Sequence, residues 1–373
     1  MASQTGIQSL PLELLEQIFG ELYHSAPSEH NLDHQPHIDT TSANNINLKN
    51  ISRVSKQWRQ IALPELLKHA RLILRPDQRP SAVAWPSSYQ SFLAFARDLS
   101  LGSTVQTVTL IDEEARELDH NEEINYVDDF PDRWNVFFSV LHPTRFTIVA
   151  PPPVLGLLTS LHVSNDVRSN YHMPYHLLSL KVPKGSQRLL SPPARPTIFG
   201  LVPWTEVQIN EGSFLRPYSE IDWPLNACEA PSILSSLASL PLPASVDTLT
   251  YISIYPDMAQ IRLLSAVVAS SSLRRFAFGF LPSRDILPDP GQRGGIDWTK
   301  LTFIRNSAQE ELVSHISEPM TAGWNLLEEI VFLDAIVDVE WDEGVDKLWT
   351  SSHDWVLDVE RMGVLIRSTK RAN

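Results

Sequence analysis

The stretch VDTLTYISIYPDMAQIRLLSAVVASSSLRRFAFGF, residues Val246–Phe280, decides how the chain is read. It opens with apolar residues at Val246, Leu249 and Tyr251, and the alternation of the last two suits a strand with one buried face. Pro256 then removes a ladder donor and turns the chain. From Met258 to Ser270 the apolar residues return three and four apart, which predicts a helix. Beyond it the same triplet recurs at Leu273, Phe276 and Phe278. Strand, helix and strand in this order predict a crossover unit with parallel strands.

Outward from that unit, the triplet recurs at Val105-Val108-Leu110, Tyr175-Leu178-Leu180, Trp204-Val207-Ile209 and Leu327-Ile330-Phe332. Partial copies stand at Ile73 and at Phe146-Ile148. Helical periodicity covers Tyr89–Leu99 and Gln309–Ile316. The uncharged stretch Phe146–Asn165 contains three consecutive prolines, Pro151, Pro152 and Pro153, so it reads as strand, turn and helix rather than a membrane span. Pro76, Pro151, Pro183, Pro256 and Pro282 each lie at or just past a proposed strand end. That accounts for an unusual balance of 28 Pro against 14 Gly: the connections are long crossovers, with little use for tight hairpins. The copies are unevenly spaced, so no strict repeat period is present.

The first seventy or so residues read differently. In LPLELLEQIFGEL, Leu10, Leu14, Leu15, Ile18 and Leu22 form one helical stripe, with Pro11 in the first turn and Glu13 at the positive end of the dipole. A polar insert, residues 23–47, follows without any apolar period and is expected to be a mobile loop. From Leu48, in LKNISRVSKQWRQIALPELL, a second stripe runs through Leu48, Ile51, Val54, Trp58 and Ile61. Pro64 is expected to end that helix or to begin a shorter one over Glu65–His69.

These two blocks resemble the F-box, in the style of fungal F-box proteins. The first matches a pattern of the form LPxELLxxIF. The second matches VSKxWRxIAxPxL at Val54, Ser55, Lys56, Trp58, Arg59, Ile61, Ala62, Pro64 and Leu66. The connection between them is about twenty residues longer than the family's usual one. The resemblance implies a three-helix unit over residues 1–70 that docks a Skp-type adaptor of a cullin–RING ubiquitin ligase. Leu10, Pro11, Leu14, Leu15, Ile18 and Leu22, joined by Leu48, Ile51 and Val54, would be the adaptor-binding anchors. Trp58 and Ile61 would form the unit's small core.

The recurring triplet resembles the LxxLxL core of leucine-rich repeats, which often follow an F-box. The Asn or Cys expected after the last apolar position is missing, however. Glu113, Pro183, Gly212, Ile254, Leu281 and Ala335 stand there instead. The expected fold is therefore α/β: a small N-terminal three-helix F-box followed, over residues 71–373, by an irregular leucine-rich-repeat-like α/β solenoid. An ordinary non-repetitive α/β domain is the alternative.

Composition narrows the functional classes. With 44 acidic against 30 basic side chains the formal net charge is −14, which argues against binding nucleic acid or an anionic membrane. The single cysteine, Cys228, excludes an internal disulfide framework and fits a reducing compartment, cytoplasm or nucleus. Glu13 and Glu16 stand where a secretory signal would be apolar. No nucleotide-binding or hydrolase motif is present, and GQRGG at Gly291–Gly295 has no preceding strand to make it a phosphate cradle. His30, His34 and His37 with Asp33 have the donors for a metal but no apolar frame, so neither metal nor cofactor is expected.

One charged feature stands out. From Asp112 to Asp132 ten carboxylates face Arg116 alone. Asp112, Glu113, Glu114, Glu117, Asp128 and Asp129, interleaved with Tyr126 and Trp134, are a candidate acidic rim for a basic partner segment; a solvated insertion is the plainer reading. Taken together, the sequence leads to the expectation of a non-catalytic substrate-recognition subunit of a Skp–cullin–F-box-type ubiquitin ligase. It would hold an unknown protein substrate with its C-terminal domain. The alternative is an enzyme or non-ligase scaffold built on that α/β domain.

Overall fold

The computed structural model describes residues 10–22, 31–38, 45–74, 87–112, 130–163, 175–183, 185, 197–213, 232–254, 256, 258–280, 298–317, 324–336, 355–358, 360–361 and 363–368. They form a mixed α/β fold built on a ten-stranded, mostly parallel sheet. The strands are β1 (His69–Leu74), β2 (Thr107–Asp112), β3 (Arg145–Ala150), β4 (His176–Lys181), β5 (Glu206–Ser213), β6 (Thr248–Ile254), β7 (Arg275–Gly279), β8 (Glu329–Phe332), β9 (Trp355–Leu357) and β10 (Val364–Arg367). The helices are α1 (Leu12–Gly20), α2 (Ile46–Ile51), α3 (Lys56–Leu67), α4 (Ser87–Asp98), α5 (Phe130–Val140), α6 (Pro152–Thr159), α7 (Ile198–Leu201), α8 (Leu234–Ser239), α9 (Met258–Ser270) and α10 (Trp298–Ser317).

Strands β1 to β8 lie side by side in chain order, followed by β10 and then β9. The last two residues of every triplet, and both partial copies, fall on a strand of this sheet, with the first residue of each triplet just ahead of it. Strands β2, β5 and β7, which carry the copies at Val105, Trp204 and Leu273, run in one direction. The expectation of a wholly parallel sheet is corrected at β4 and β10, each of which pairs antiparallel with both neighbours. Alternation has no direction, so the triplet at Tyr175 could not announce that its strand is reversed.

The last two residues of each triplet face one side of the sheet, where the helices pack, while Tyr175, just before β4, packs on the other side. Val108, Phe146, Leu180, Val207, Leu249, Phe276 and Ile330 are all essentially solvent-free there. Large rings lock the layer: Phe278 lies 4.4 Å from Phe332 and 5.1 Å from Phe280, centroid to centroid. Pro151 precedes α6, and Pro152 occupies its first position, where no N–H is needed.

The N-terminal helices have a core of their own, made by Leu15, Phe19, Leu48, Trp58, Ile61 and Ala62. Trp58 meets Phe19 edge to face at 5.4 Å. The second stripe, expected as one helix, is broken between α2 and α3. The Ser55 hydroxyl accepts the Trp58 N–H at 3.1 Å and starts α3 afresh. Pro64 does not end it, because α3 continues to Leu67. Leu63 and Leu67 pack on the large core, so α3 serves both cores at once. The expected boundary at residue 70 falls inside β1.

The insert corrects another expectation. Residues 31–38 form a strap on the sheet face that carries no α-helix among the described residues, where Leu32 is buried with Ile111, Val149, Tyr175 and Leu177. Composition hid this, because the attachments include backbone carbonyls, which leave no mark in a sequence, and isolated apolar side chains such as Leu32 and Pro36 that form no periodic pattern.

Candidate interaction surfaces

Two surfaces stand out. The first is the N-terminal helical unit, and the structure divides the expected anchors. Leu15 and Leu48 are corrections: both are buried in the unit's own core and are closed to a partner. Leu10, Leu22 and Ile51 are half-buried against that core. Leu14 and Ile18, one turn apart on α1, remain 45% and 41% exposed, Val54 is 53% exposed, and Pro11 is exposed. Leu12 and Ile46, absent from the expected set, are exposed as well. Trp58 and Ile61 lie in the small core. The stripe on α1 is thus wider than its own core can cover. Leu15 and Phe19 turn inward, while Leu14 and Ile18 are left outside at helical spacing.

The second surface is the helix-free face of the sheet, built by the residues between the apolar strand positions. Register sets them in rows that cross the strands. The first row runs Arg145, Lys181, Glu206, Thr248, Arg275 and Glu329. The next runs Thr109, Thr147, Ser179, Gln208 and Thr250. A third, Ile111, Val149, Leu177 and Asn210, lies under the strap. A groove of about 210 Å³ opens between the strap residues Leu32 and Asp33 and the 3₁₀ turn at Leu333, and its floor is the middle of these first two rows, from Arg145 to Arg275 and from Ser179 to Thr250.

Opposite charges are paired along the first row. Lys181 Nζ donates to Glu206 Oε1 at 2.6 Å and Arg275 Nε to Glu329 Oε1 at 2.7 Å. Burial pushes the Glu329 carboxyl up, but hydrogen bonds and charge from Arg275 and Arg361 outweigh it and hold the group below the ordinary range. The row is a string of ion pairs on a rigid floor, suited to orienting a polar partner.

The strap is fixed from below by side chains of β5 and β1. Asn210 Nδ2 donates to the carbonyls of Leu32 at 2.9 Å and His34 at 2.8 Å, while its Oδ1 accepts the Gly212 N–H. Gln208 Nε2 donates to Asp33 Oδ1 at 2.7 Å, and an Arg71 nitrogen donates to the Ile38 carbonyl at 3.0 Å. Gly212 has a φ of +77°, and a Cβ there would stand 3.1 Å from the Tyr175 carbonyl oxygen, so glycine suits this point of β5 both in conformation and in its close approach to the chain beside β4.

The candidate acidic rim is corrected where the structure describes it. Asp112 is fully buried at the end of β2. Trp134 is buried too, donating from Nε1 to the Leu158 carbonyl at 2.7 Å amid Phe137, Phe138 and Phe146. The spacing Trp134, Phe137, Phe138, Leu141 carried the helical signal. Glu113, Glu114, Glu117, Tyr126, Asp128 and Asp129 lie outside the described residues, as do Cys228, His30 and Gly291–Gly295.

Two buried polar groups lie away from both surfaces. Glu211 accepts hydrogen bonds from the Ser232 and Tyr251 hydroxyls and the Ile233 N–H, at 2.7, 2.6 and 3.2 Å, which braces the start of α8 against β6. His176 is fully buried, neither ring nitrogen has a hydrogen-bond partner, and burial pushes its pKa down to about 3. Among the described residues no group of three or more His, Cys, Asp or Glu could hold a metal ion, and no helix is long and apolar enough to cross a membrane. Compared with known proteins, the chain matches no family model and no curated protein.

Proposed function

We propose that this chain is a non-catalytic substrate-recognition subunit of a Skp–cullin–F-box-type ubiquitin ligase. The observation that carries the reading is the divided stripe of α1. Three short helices close a core of six buried residues, yet Leu14 and Ile18 stay outside it, with Pro11, Leu12, Ile46 and Val54 also exposed. An apolar row at helical spacing on a rigid unit is what helix-in-groove docking uses. The order of its residues resembles the F-box. The partner at this surface would be the Skp-type adaptor, and through it the cullin–RING core.

The remaining strands and helices form the substrate arm. Strands following one another in chain order, with apolar triplets toward the helices and polar residues on the opposite face, suit an irregular leucine-rich-repeat-like solenoid that reads its partner with its sheet face. A protein held there would be kept near the transferring enzyme by effective concentration alone.

Co-purification tests the docking half. Wild-type chain should retain a Skp-type adaptor, and Leu14→Asp with Ile18→Asp should abolish retention while the sheet domain keeps its stability. Changing Leu15 would not be informative, because it breaks the small core. Failure of the wild type to bind the adaptor, or undiminished binding by the double variant, would overturn the reading.

A further inference from the structure

We infer that the helix-free sheet face is a recognition site for a tight turn presenting an apolar residue followed by an acidic one, and that the chain's own Asn31–His34 turn sits in it as an internal competitor. The His34 N–H donates to the Asn31 carbonyl at 3.2 Å, which closes a turn with Leu32 and Asp33 at its corners. Leu32 fills the slot made by Ile111, Val149, Tyr175 and Leu177. The Asn210 amide reads two alternate backbone carbonyls, at Leu32 and His34. Gln208 reads the Asp33 carboxylate.

Two of these contacts, the slot and the carboxylate, demand a particular side chain. The two carbonyl contacts demand a backbone shape and accept any sequence that can turn. Leu32 and Asp33 also form one wall of the groove, and the floor continues past them through the ion-paired row to Arg275. A partner turn in the place of Asn31–His34 would therefore have its flanking chain led along Lys181, Glu206 and Arg275.

The segment 31–38 belongs to no strand of the sheet, and it is held through Leu32, Pro36 and the hydrogen bonds named above together with the ring contact of His37 on Tyr175. It can open locally without unfolding the sheet. In cis it acts at millimolar-order effective concentration, so a free competitor meets a partly blocked site until the turn is released. The inference deepens the receptor reading by naming its recognition face. Its test involves no adaptor, so either reading can fail while the other stands.

The probe is a fluorescein-labelled peptide of residues 31–38, NLDHQPHI, titrated into the full chain with anisotropy as the readout. In a Leu32→Asp chain the internal turn is expelled and the site is left intact, so the peptide should bind at least tenfold more tightly than to wild type. Adding Asn210→Asp turns the carbonyl-reading donor into an acceptor and should cancel that gain; so should Leu32→Asp made in the peptide. Hydrogen exchange should show residues 31–38 of the Leu32→Asp chain losing protection tenfold or more while β5 and β6 keep theirs. Equal peptide affinity for wild type and Leu32→Asp, or a gain that survives Asn210→Asp, would overturn the inference. Leu32→Ala provides the same comparison with a smaller expected gain should Leu32→Asp fail to fold.

Discussion

The N-terminal helical unit and the sheet domain use apolar residues to opposite ends. In the sheet domain every triplet is enclosed: its apolar face is roofed by helices and its other face is largely polar. In the N-terminal unit one stripe does two jobs, with Leu15 and Phe19 building a core while Leu14 and Ile18 remain in water. An element that alternates every second residue can turn one set of side chains to the main core and leave the other set a separate surface. A short helix has no second side to spare, so the stripe that builds its core also supplies the apolar residues left exposed.

Four expected outcomes sharpen or break this contrast. The largest effect belongs to the enclosed layer. Phe278→Ala should cost about 3–5 kcal/mol in urea unfolding, because the vacated volume is walled by Phe276, Phe280 and Phe332, which cannot collapse into it. Next comes Trp58→Ala, expected to remove about 3 kcal/mol from a unit with only six buried residues. Hydrogen exchange should then show α1 and α2 opening while β5 to β8 stay protected. If both regions open together, α3 transmits the damage and the two cores are energetically one.

The third outcome concerns pH. The native His176 ring stays neutral until about pH 3, whereas in the unfolded chain it takes a proton near pH 6.5. The unfolded state therefore binds more protons between those values, and stability falls as pH drops through the window. His176→Leu should remove about 2–3 kcal/mol of the loss between pH 7 and pH 4.5, measured as the difference in urea midpoints at constant slope. A variant with the same acid sensitivity as wild type would show that the ring is solvated in the native state.

The smallest effect should come from the ion-paired row. A double-mutant cycle on Lys181→Met and Glu206→Gln should give a coupling below about 1 kcal/mol, since both side chains are about 40% exposed. A much larger coupling would mean that the polar face is a stabilising element rather than a surface left free for a partner.

The sequence was a good guide to whatever depends on local period. Met258–Ser270 was legible to the residue as a helix, and all eight strand positions from Ile73 to Phe332 fall on strands. It was a poor guide to direction and distance. The reversal of β4 leaves no trace in an alternation. The strap was illegible because its partners Asn210 and Gln208 lie well over a hundred residues away. Trp134 was misplaced because the carboxylates before it drew its aromatic character toward a surface reading, although Trp134, Phe137, Phe138 and Leu141 mark a buried helix face. Leu15 and Leu48 were misassigned for a related reason: a stripe shows which side is apolar, not how much of it the unit itself will cover.

The chain-order arrangement of β1 to β8 has a consequence for biosynthesis. Each of these strands finds its neighbour already made, so the sheet can be laid down one strand at a time as the polypeptide emerges from the ribosome. The strap cannot follow that schedule. Its anchor, Asn210, is translated 178 residues after Leu32, so residues 31–38 must wait until β5 is in place. Docking of the strap then marks, in one local event, that the first half of the sheet has been completed.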